Sequence, residues 1–484
     1  MSTSDNAAVE PGMQATTGAV RLPQKLGYGI GAIAYSLPYQ IMASFFLFFV
    51  TAILKVPPTI AGTIVAISVF WDAITDPWIG ALSDRTRSAR FGRRHQFLLL
   101  GGIGTALGSW FLWSISPQTD MVTKIVLLLI AVLFTKTMNT FYGAPYYALG
   151  GTISRDYDVR SSLQGWRAAF HVIGMILALV GTQIVFFRST PEFPRGQLNP
   201  AAYPATGIAV AVITVLVALI AYALIPKDHG DEDTAGGQAP GALLQVQAAL
   251  SNKSFRAILL VIFIIEVSFQ ITVSLGTHVN TFTYHLTGPQ MGILGLSLLG
   301  MSVISQPFWV FMCRRFEKRS ALILGMLLGL VGFVGMPWAH VGLGWLPIDA
   351  PSTVLTLSLF SMVAGIGNGA FMSIPFSMVA DATDEGRLDT DHQQEGLYFG
   401  LYTFAYKLGI SVSVFIGGIL LRLIGFVSGA SEQSAQTAYL LAIAPTWLLM
   451  LATPVILWAI MGYRIDRKKH ALTLAMLDEK SGKA

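Results

Sequence analysis

Long apolar runs constrain this chain more than any other feature. Twelve of them reach the roughly 20 residues that an α-helix needs to cross ~30 Å of hydrocarbon: about 26–54, 58–82, 96–116, 122–148, 166–187, 205–225, 257–286, 291–313, 320–340, 352–379, 396–423 and 438–462. The pattern predicts an all-α polytopic membrane protein. A β-barrel does not fit, because the runs are too long and lack period-two alternation. Composition agrees, since 53% of the 484 residues are hydrophobic and only 12% charged, a balance that soluble domains do not show. Residues 1–25 are polar, with no apolar core behind a basic start, and read as a tail and not as a cleavable signal. The single cysteine, Cys313, excludes an internal disulfide, and no cluster has metal-ligand spacing.

Charge orients the bundle. Arg85, Arg87, Arg90, Arg93 and Arg94 follow the second run, Arg314, Arg315, Lys318 and Arg319 the eighth, and Arg464, Arg467, Lys468 and Lys469 the last. The opposite loops hold only Lys55, Lys124, Arg188 and Arg195. The positive-inside rule then predicts that both termini are cytoplasmic. These loops account for the net charge of +5, so no nucleic-acid partner is required.

A polar, Gly-rich and acidic stretch at 226–256 separates a first half, 26–225, from a second, 257–462, with a cytoplasmic tail at 463–484. Within that linker, GALLQVQAAL has the makings of a short surface helix. The halves repeat at an offset of 230 residues, which pairs Phe141 and Pro145 with Phe371 and Pro375, and Pro77 with Pro307. Two coincidences at one offset point to a duplicated six-helix unit, with a substrate site between the halves.

The second run carries two carboxylates, Asp72 and Asp76, whose repeat partners are Ser302 and Gln306. Their job is therefore done once. Four residues apart, they share a helix face, and at ~6 Å they repel by about 3 kcal/mol at an effective dielectric near 20. Such a pair asks for a cation: a proton, Na⁺ or a basic side chain. Oxygens of Thr75 or Thr140 would complete a hard-ion shell.

WDAITDP (71–77), then Gly80, Asp84, Arg85 and RFGRR (90–94), together with PYYALGGTISRDYDVRSSLQGWR (145–167), PFSMVADATDEGR (375–387) and TFAYKLG (403–409), resembles the glycoside–pentoside–hexuronide:cation symporters, the melibiose permease family of the major facilitator superfamily. The chain is also similar to the sodium-coupled lysophospholipid transporters of vertebrates. The resemblance implies a cation-coupled symporter of two pseudo-symmetric six-helix bundles, acting as a monomer in a plasma membrane, of the bacterial inner-membrane kind. It implies Asp72, Asp76 and Thr140 as cation ligands, answered by Lys407, with Thr403 one turn away and Arg167 near the cavity. It also implies that Asp84, Arg85, Arg155, Arg160, Asp381 and Asp384 form charge networks that hold an inward gate shut.

Departures shape the expected substrate. Sugar-carrying members similar to the melibiose permease have aspartates where this chain has Ser36 and Gly143, while Tyr147 matches the aromatic platform beneath the sugar. Lys136 appears two turns before Gly143 and, with Arg167, Lys407, His171 and His278, gives a cavity of positive sign. That sign suits an anion such as a hexuronide, a sulfonated sugar or a phosphate-bearing lysolipid. The other reading of Lys136 is a permanent pair with Asp72 or Asp76, a tethered cation in place of Na⁺. Glu266, at the 230-residue offset from Ser36, is a candidate acceptor from the second half, and Asn139 and Tyr35 join the candidate lining. Tyr28, Tyr39, Trp71, Tyr142 and Tyr146 either line the pathway or pack. His278 and His285, seven apart, share a helix face but no zinc spacing. No P-loop, nucleophile elbow or metal cluster appears, which leaves a secondary transporter with no cofactor beyond its coupling ion, Na⁺ or H⁺. The alternatives are a carrier of lysophospholipid and, more remotely, a non-transporting membrane sensor.

Overall fold

A computed structural model describes residues 20–86, 94–153, 157–226, 242–348, 352–390 and 395–480. The first half contains α1 (Leu22–Phe48), α2 (Pro58–Arg85), α3 (His95–Trp113), α4 (Met121–Thr152), α5 (Tyr157–Ile176) and α6 (Ala202–Leu224). A wider turn, Phe49–Ile53, extends α1, and Leu177–Gly181 with Thr182–Val185 extends α5. The second half contains α7 (Lys253–Phe282), α8 (Gly288–Ile304, continued as Gln306–Phe316), α9 (Lys318–Pro337), α10 (Thr353–Thr390), α11 (Glu395–Leu423) and α12 (Ala435–Ile460). The linker supplies the expected short helix, Ala242–Ser251, and the tail a further one, Arg467–Lys480.

Local chemistry starts these helices. Asp120 accepts from the Thr123 amide at 3.0 Å, Asn252 from the Phe255 amide at 2.9 Å and Ser434 from the Thr437 amide at 3.1 Å. Each satisfies a donor that would otherwise be orphaned at a helix start. Proline opens α2 and α8, where its fixed φ costs nothing.

Eleven described helices are long and apolar enough to span a membrane, and α8 makes the twelfth if its bent pieces count as one. The span expected at 291–313 is bent: α8 turns by 44° at Ser305. Pro307 cannot donate to the helical ladder, and Gln306 turns its amide to the carbonyls of Ser302 (2.9 Å) and Gly369 (3.0 Å). The repeat partner Pro77 lies inside the unbroken α2.

Within the halves, α3 lies between α4 and α6, α1 packs on α5 and α6, and α10 packs on α8 and α9. Gly367 on α10 allows one close approach, since a Cβ there would lie 2.4 Å from the Gly329 amide nitrogen of α9. Between the halves, α2 packs on α11, the extension of α5 on α8, and α1 on α7.

One face of the molecule is sealed. Arg195, from the segment between α5 and α6, donates to the carbonyls of Thr281 (2.8 Å) and Ser431 (2.9 Å) and pairs with Glu432, all in the other half. Gln197 donates to Thr281 Oγ1 (3.0 Å) and the Leu286 carbonyl (2.9 Å), and Thr51 meets His278 at 2.9 Å. On this same face the Lys124 ammonium donates to the carbonyls of Leu54 (2.8 Å) and Pro117 (3.0 Å), closing the end of the first span. The opposite face carries the linker helix and the tail helix.

Candidate functional site

The polar centre is built from α2, α4 and α11. In a helix of 28 residues, ~42 Å long, Asp72 and Asp76 come one turn apart on the side that faces α4 and α11. Lys136 Nζ of α4 donates to Asp72 Oδ2 at 2.7 Å. Lys407 Nζ of α11 donates to Asp76 Oδ2 at 2.7 Å, and Thr140 Oγ1 of α4 to Asp76 Oδ1 at 2.7 Å. Two carboxylates thus meet two ammoniums, and each ion pair repays part of its own desolvation. Asp72 Oδ1 is buried with no partner among the described residues.

The other predicted residues divide. Tyr35 stacks on Tyr39 (5.8 Å between centroids) and meets Tyr147 edge-on (5.4 Å). Gly143 makes room for this cluster, since a Cβ there would lie 2.8 Å from the Tyr35 ring. Arg167 lies 5.2 Å from the centre of the Tyr147 ring and donates to Gln164 at 2.6 Å, which leaves guanidinium donors free. Asn139 reaches the Tyr35 carbonyl at 3.4 Å. Glu266 of α7 packs its Cβ against Gly409 of α11 and has no hydrogen-bond partner among the described residues.

Several expected positions lie elsewhere. Thr75 donates to the Trp71 carbonyl (2.9 Å) and Thr403 to the Phe399 carbonyl (2.8 Å), the usual back-bonding of helical threonines, so neither hydroxyl hydrogen reaches the ion pairs. Ser36 is buried against Gly174 of α5. Tyr28, Tyr142 and Tyr146 are core residues and do not line the pathway: the Tyr142 hydroxyl donates to the Gly31 carbonyl at 2.9 Å, and that of Tyr146 to the Tyr28 carbonyl at 2.5 Å. His278 is not a cavity group but sits in the sealed face between Phe48 and Phe426. His285 has left the helix, at φ 52°.

The expected gate residues are only partly visible. Arg155 and the side chains of Asp84, Arg85 and Arg160 lie outside the described residues. Asp381 binds Lys318 at 2.7 Å and accepts from the Tyr463 hydroxyl at 2.9 Å, while Asp384 meets His470 at 3.0 Å. Burial and the Asp381 carboxylate push the Tyr463 hydroxyl up, which keeps it a donor. Lys469 pairs with Glu385. These described partners tie the tail helix to α10 through Asp384–His470 and Glu385–Lys469.

Sequence reasoning did not find the seal made by Arg195, Gln197, Thr51, His278 and Glu432. Its one signal was Arg195 itself, an arginine in a loop region otherwise poor in charge.

Beside Lys136, a narrow cleft with room of about 40 Å³ runs between α1, α2, α4 and α11, walled by Tyr39, Met42, Phe46, Val65 and Ile410.

Comparison with known proteins places this centre in context. The family model described as MFS/sugar transport protein matches residues 27–467. The symporter sll1374 of Synechocystis is 25% identical over 92% of this chain and 94% of its own. Sodium-dependent lysophosphatidylcholine symporter 1-A of Danio rerio is 23% identical over 95% and 89%, and the inner membrane symporter YicJ of Escherichia coli 25% identical over 91% of each. Among solved structures, the nucleoside transporter NupG superimposes with a TM-score of 0.65 at 12% identity, covering 91% of this chain and all (100%) of that one. A bacterial homologue of the lysosomal transporter Spinster, inward-facing and unoccupied, gives 0.64 at 14% identity over 92% and 98%. This chain is a multi-pass membrane protein with the major facilitator fold, and it belongs to the MFS/sugar transport protein family.

Proposed function

We propose that the protein is a cation-coupled symporter that imports an organic anion of the sugar-acid type by alternating access. The observation that carries this reading is the Asp76–Lys407 pair, an ion pair at 2.7 Å between helices of opposite halves. A bond between the halves at the centre must break or re-form as they rock, and a coupling cation arriving at Asp76 competes with Lys407 for the same carboxylate. With the tails in the cytoplasm, the sealed face is extracellular. Arg167, with free donors above Tyr147, supports recognition of a carboxylate, sulfonate or phosphate head, and Glu266 supplies an acceptor for hydroxyls from the other half.

The test is uptake into cells or proteoliposomes under an imposed Na⁺ or H⁺ gradient, using labelled hexuronides and sulfonated sugars. Asp76→Asn is expected to remain folded in the membrane yet lose accumulation above equilibrium. Intact gradient-driven accumulation by that variant would remove Asp76 from coupling.

One second reading is an amphiphile whose chain lies along the apolar walls beside Lys136. The relatives named as lysophosphatidylcholine symporters are consistent with it. A thermal-shift panel separates the two, since a ligand selective for the folded state raises its stability: sugar acids shift the melting temperature in the first case, lysophospholipids alone in the second.

A further inference from the structure

We infer that Lys136 is a resident counter-ion that fills the cation site at Asp72, so that this carrier binds no sodium there and Asp76 is its only exchangeable carboxylate. The inference rests on the reading of Asp72 and Asp76 as the coupling centre. Its basis is the inventory of charges and oxygens around them.

The centre holds two carboxylates and two ammoniums, each pair at 2.7 Å, so its formal charge is zero. A sodium ion added to it would leave one uncompensated positive charge at membrane depth, which is costly. The oxygens are also committed. Asp72 Oδ2 holds Lys136, Asp76 Oδ2 holds Lys407 and Asp76 Oδ1 accepts from Thr140. Of these four carboxylate oxygens, Asp72 Oδ1 alone has no partner among the described residues, whereas a hard cation takes several oxygen ligands.

The two pairs differ in what rocking does to them. Asp72 and Lys136 both belong to the first half, on helices packed against each other, so their bond travels intact through the cycle. Asp76 and Lys407 belong to opposite halves. Exposure separates them in the same sense: the Lys136 and Asp72 side chains are 10% and 16% exposed, those of Lys407 and Asp76 26% and 31%. The shielded pair is structural and the open pair exchanges. The groups that face Asp76 are Asp72 on its own helix, Lys136 and Thr140 on α4, Lys407 on α11 and Tyr35 on α1. A single carboxylate in that setting offers too few oxygens to hold a metal ion.

The experiment is equilibrium binding of radiolabelled sodium to purified full-length protein, paired with thermal unfolding in sodium against choline chloride at equal ionic strength. The native protein is expected to show no saturable binding and no sodium-specific shift. Lys136→Ala is expected to gain both, with a rise of about 1–3 °C, and the double variant with Asp72→Asn to lose them again. Should the alanine variant fail to fold, Lys136→Thr takes its place and leaves an oxygen where the ammonium was. Saturable sodium binding by the native protein that Asp72→Asn abolishes would overturn the inference. So would a folded Lys136 variant that binds no sodium. Neither result touches the transport reading, which fails separately if the native protein accumulates none of the anions tested.

Discussion

Removal of the Arg195 side chain should unlock the sealed face. In the closed state its guanidinium donates to the Thr281 and Ser431 carbonyls and pairs with Glu432, and every one of these partners moves away when the halves part. Hydrogen bonds from a charged donor contribute ~1.5–3 kcal/mol each when shielded. The Arg195 side chain is 14% exposed, so its two carbonyl bonds count nearly in full, but water replaces part of their worth on opening. Glu432 is 60% exposed, which limits that pair to about 0–1 kcal/mol. A net of about 2–3 kcal/mol follows, or roughly a 30- to 150-fold shift toward the state open on this face. The reporter is a cysteine at Ser274, buried where α7 meets α1 and α11, in a background with Cys313→Ser. Arg195→Ala should raise its labelling by an impermeant maleimide from the sealed side by that factor, and Arg195→Lys by less. Unchanged labelling in the alanine variant would refute the latch, because the three contacts would then contribute nothing to closure.

Two further perturbations test the packing that supports the centre. Lys124→Met keeps the apolar stem but leaves the Leu54 and Pro117 carbonyls unpaired, and thermal or denaturant unfolding should show a loss of about 1–3 kcal/mol per stranded carbonyl at most. Gly367→Ala would place a Cβ 2.4 Å from the Gly329 nitrogen and 2.6 Å from the Gly325 carbonyl oxygen. Since both are backbone atoms, α9 and α10 must separate, and stability should fall by about 1–3 kcal/mol; a melting temperature equal to the native one would contradict that contact.

The membrane architecture was legible because each span declares itself locally: its length and apolarity are properties of about 20 consecutive residues. The Asp72–Asp76 pair was legible for a related reason, since carboxylates are conspicuous in hydrocarbon and helical spacing puts them on one face. What the sequence left open was pairing. Nothing in the neighbourhood of Lys136 says whether it turns to Asp72, 64 residues away, or to a substrate, and only the packing of α4 on α2 decides. Thr75 and Thr403 show the opposite limit: each sat where a ligand was wanted, yet the backbone four residues earlier offered a nearer acceptor. The seal at Arg195 depends on segments more than 80 residues apart, beyond the reach of any periodicity. The bend in α8 had a visible cause in Pro307, but Pro77 at the equivalent place leaves its helix whole, so proline alone did not decide it.

That difference gives the two halves unequal mechanics. On the first half, α2 is a single stiff rod that carries the carboxylates from the sealed face toward the tail face, so any tilt at one end is transmitted to the other. On the second half, α8 is jointed at Ser305, with the lower piece running on into α9. The molecule thus pairs one rigid arm, α2, with one elbowed arm, α8.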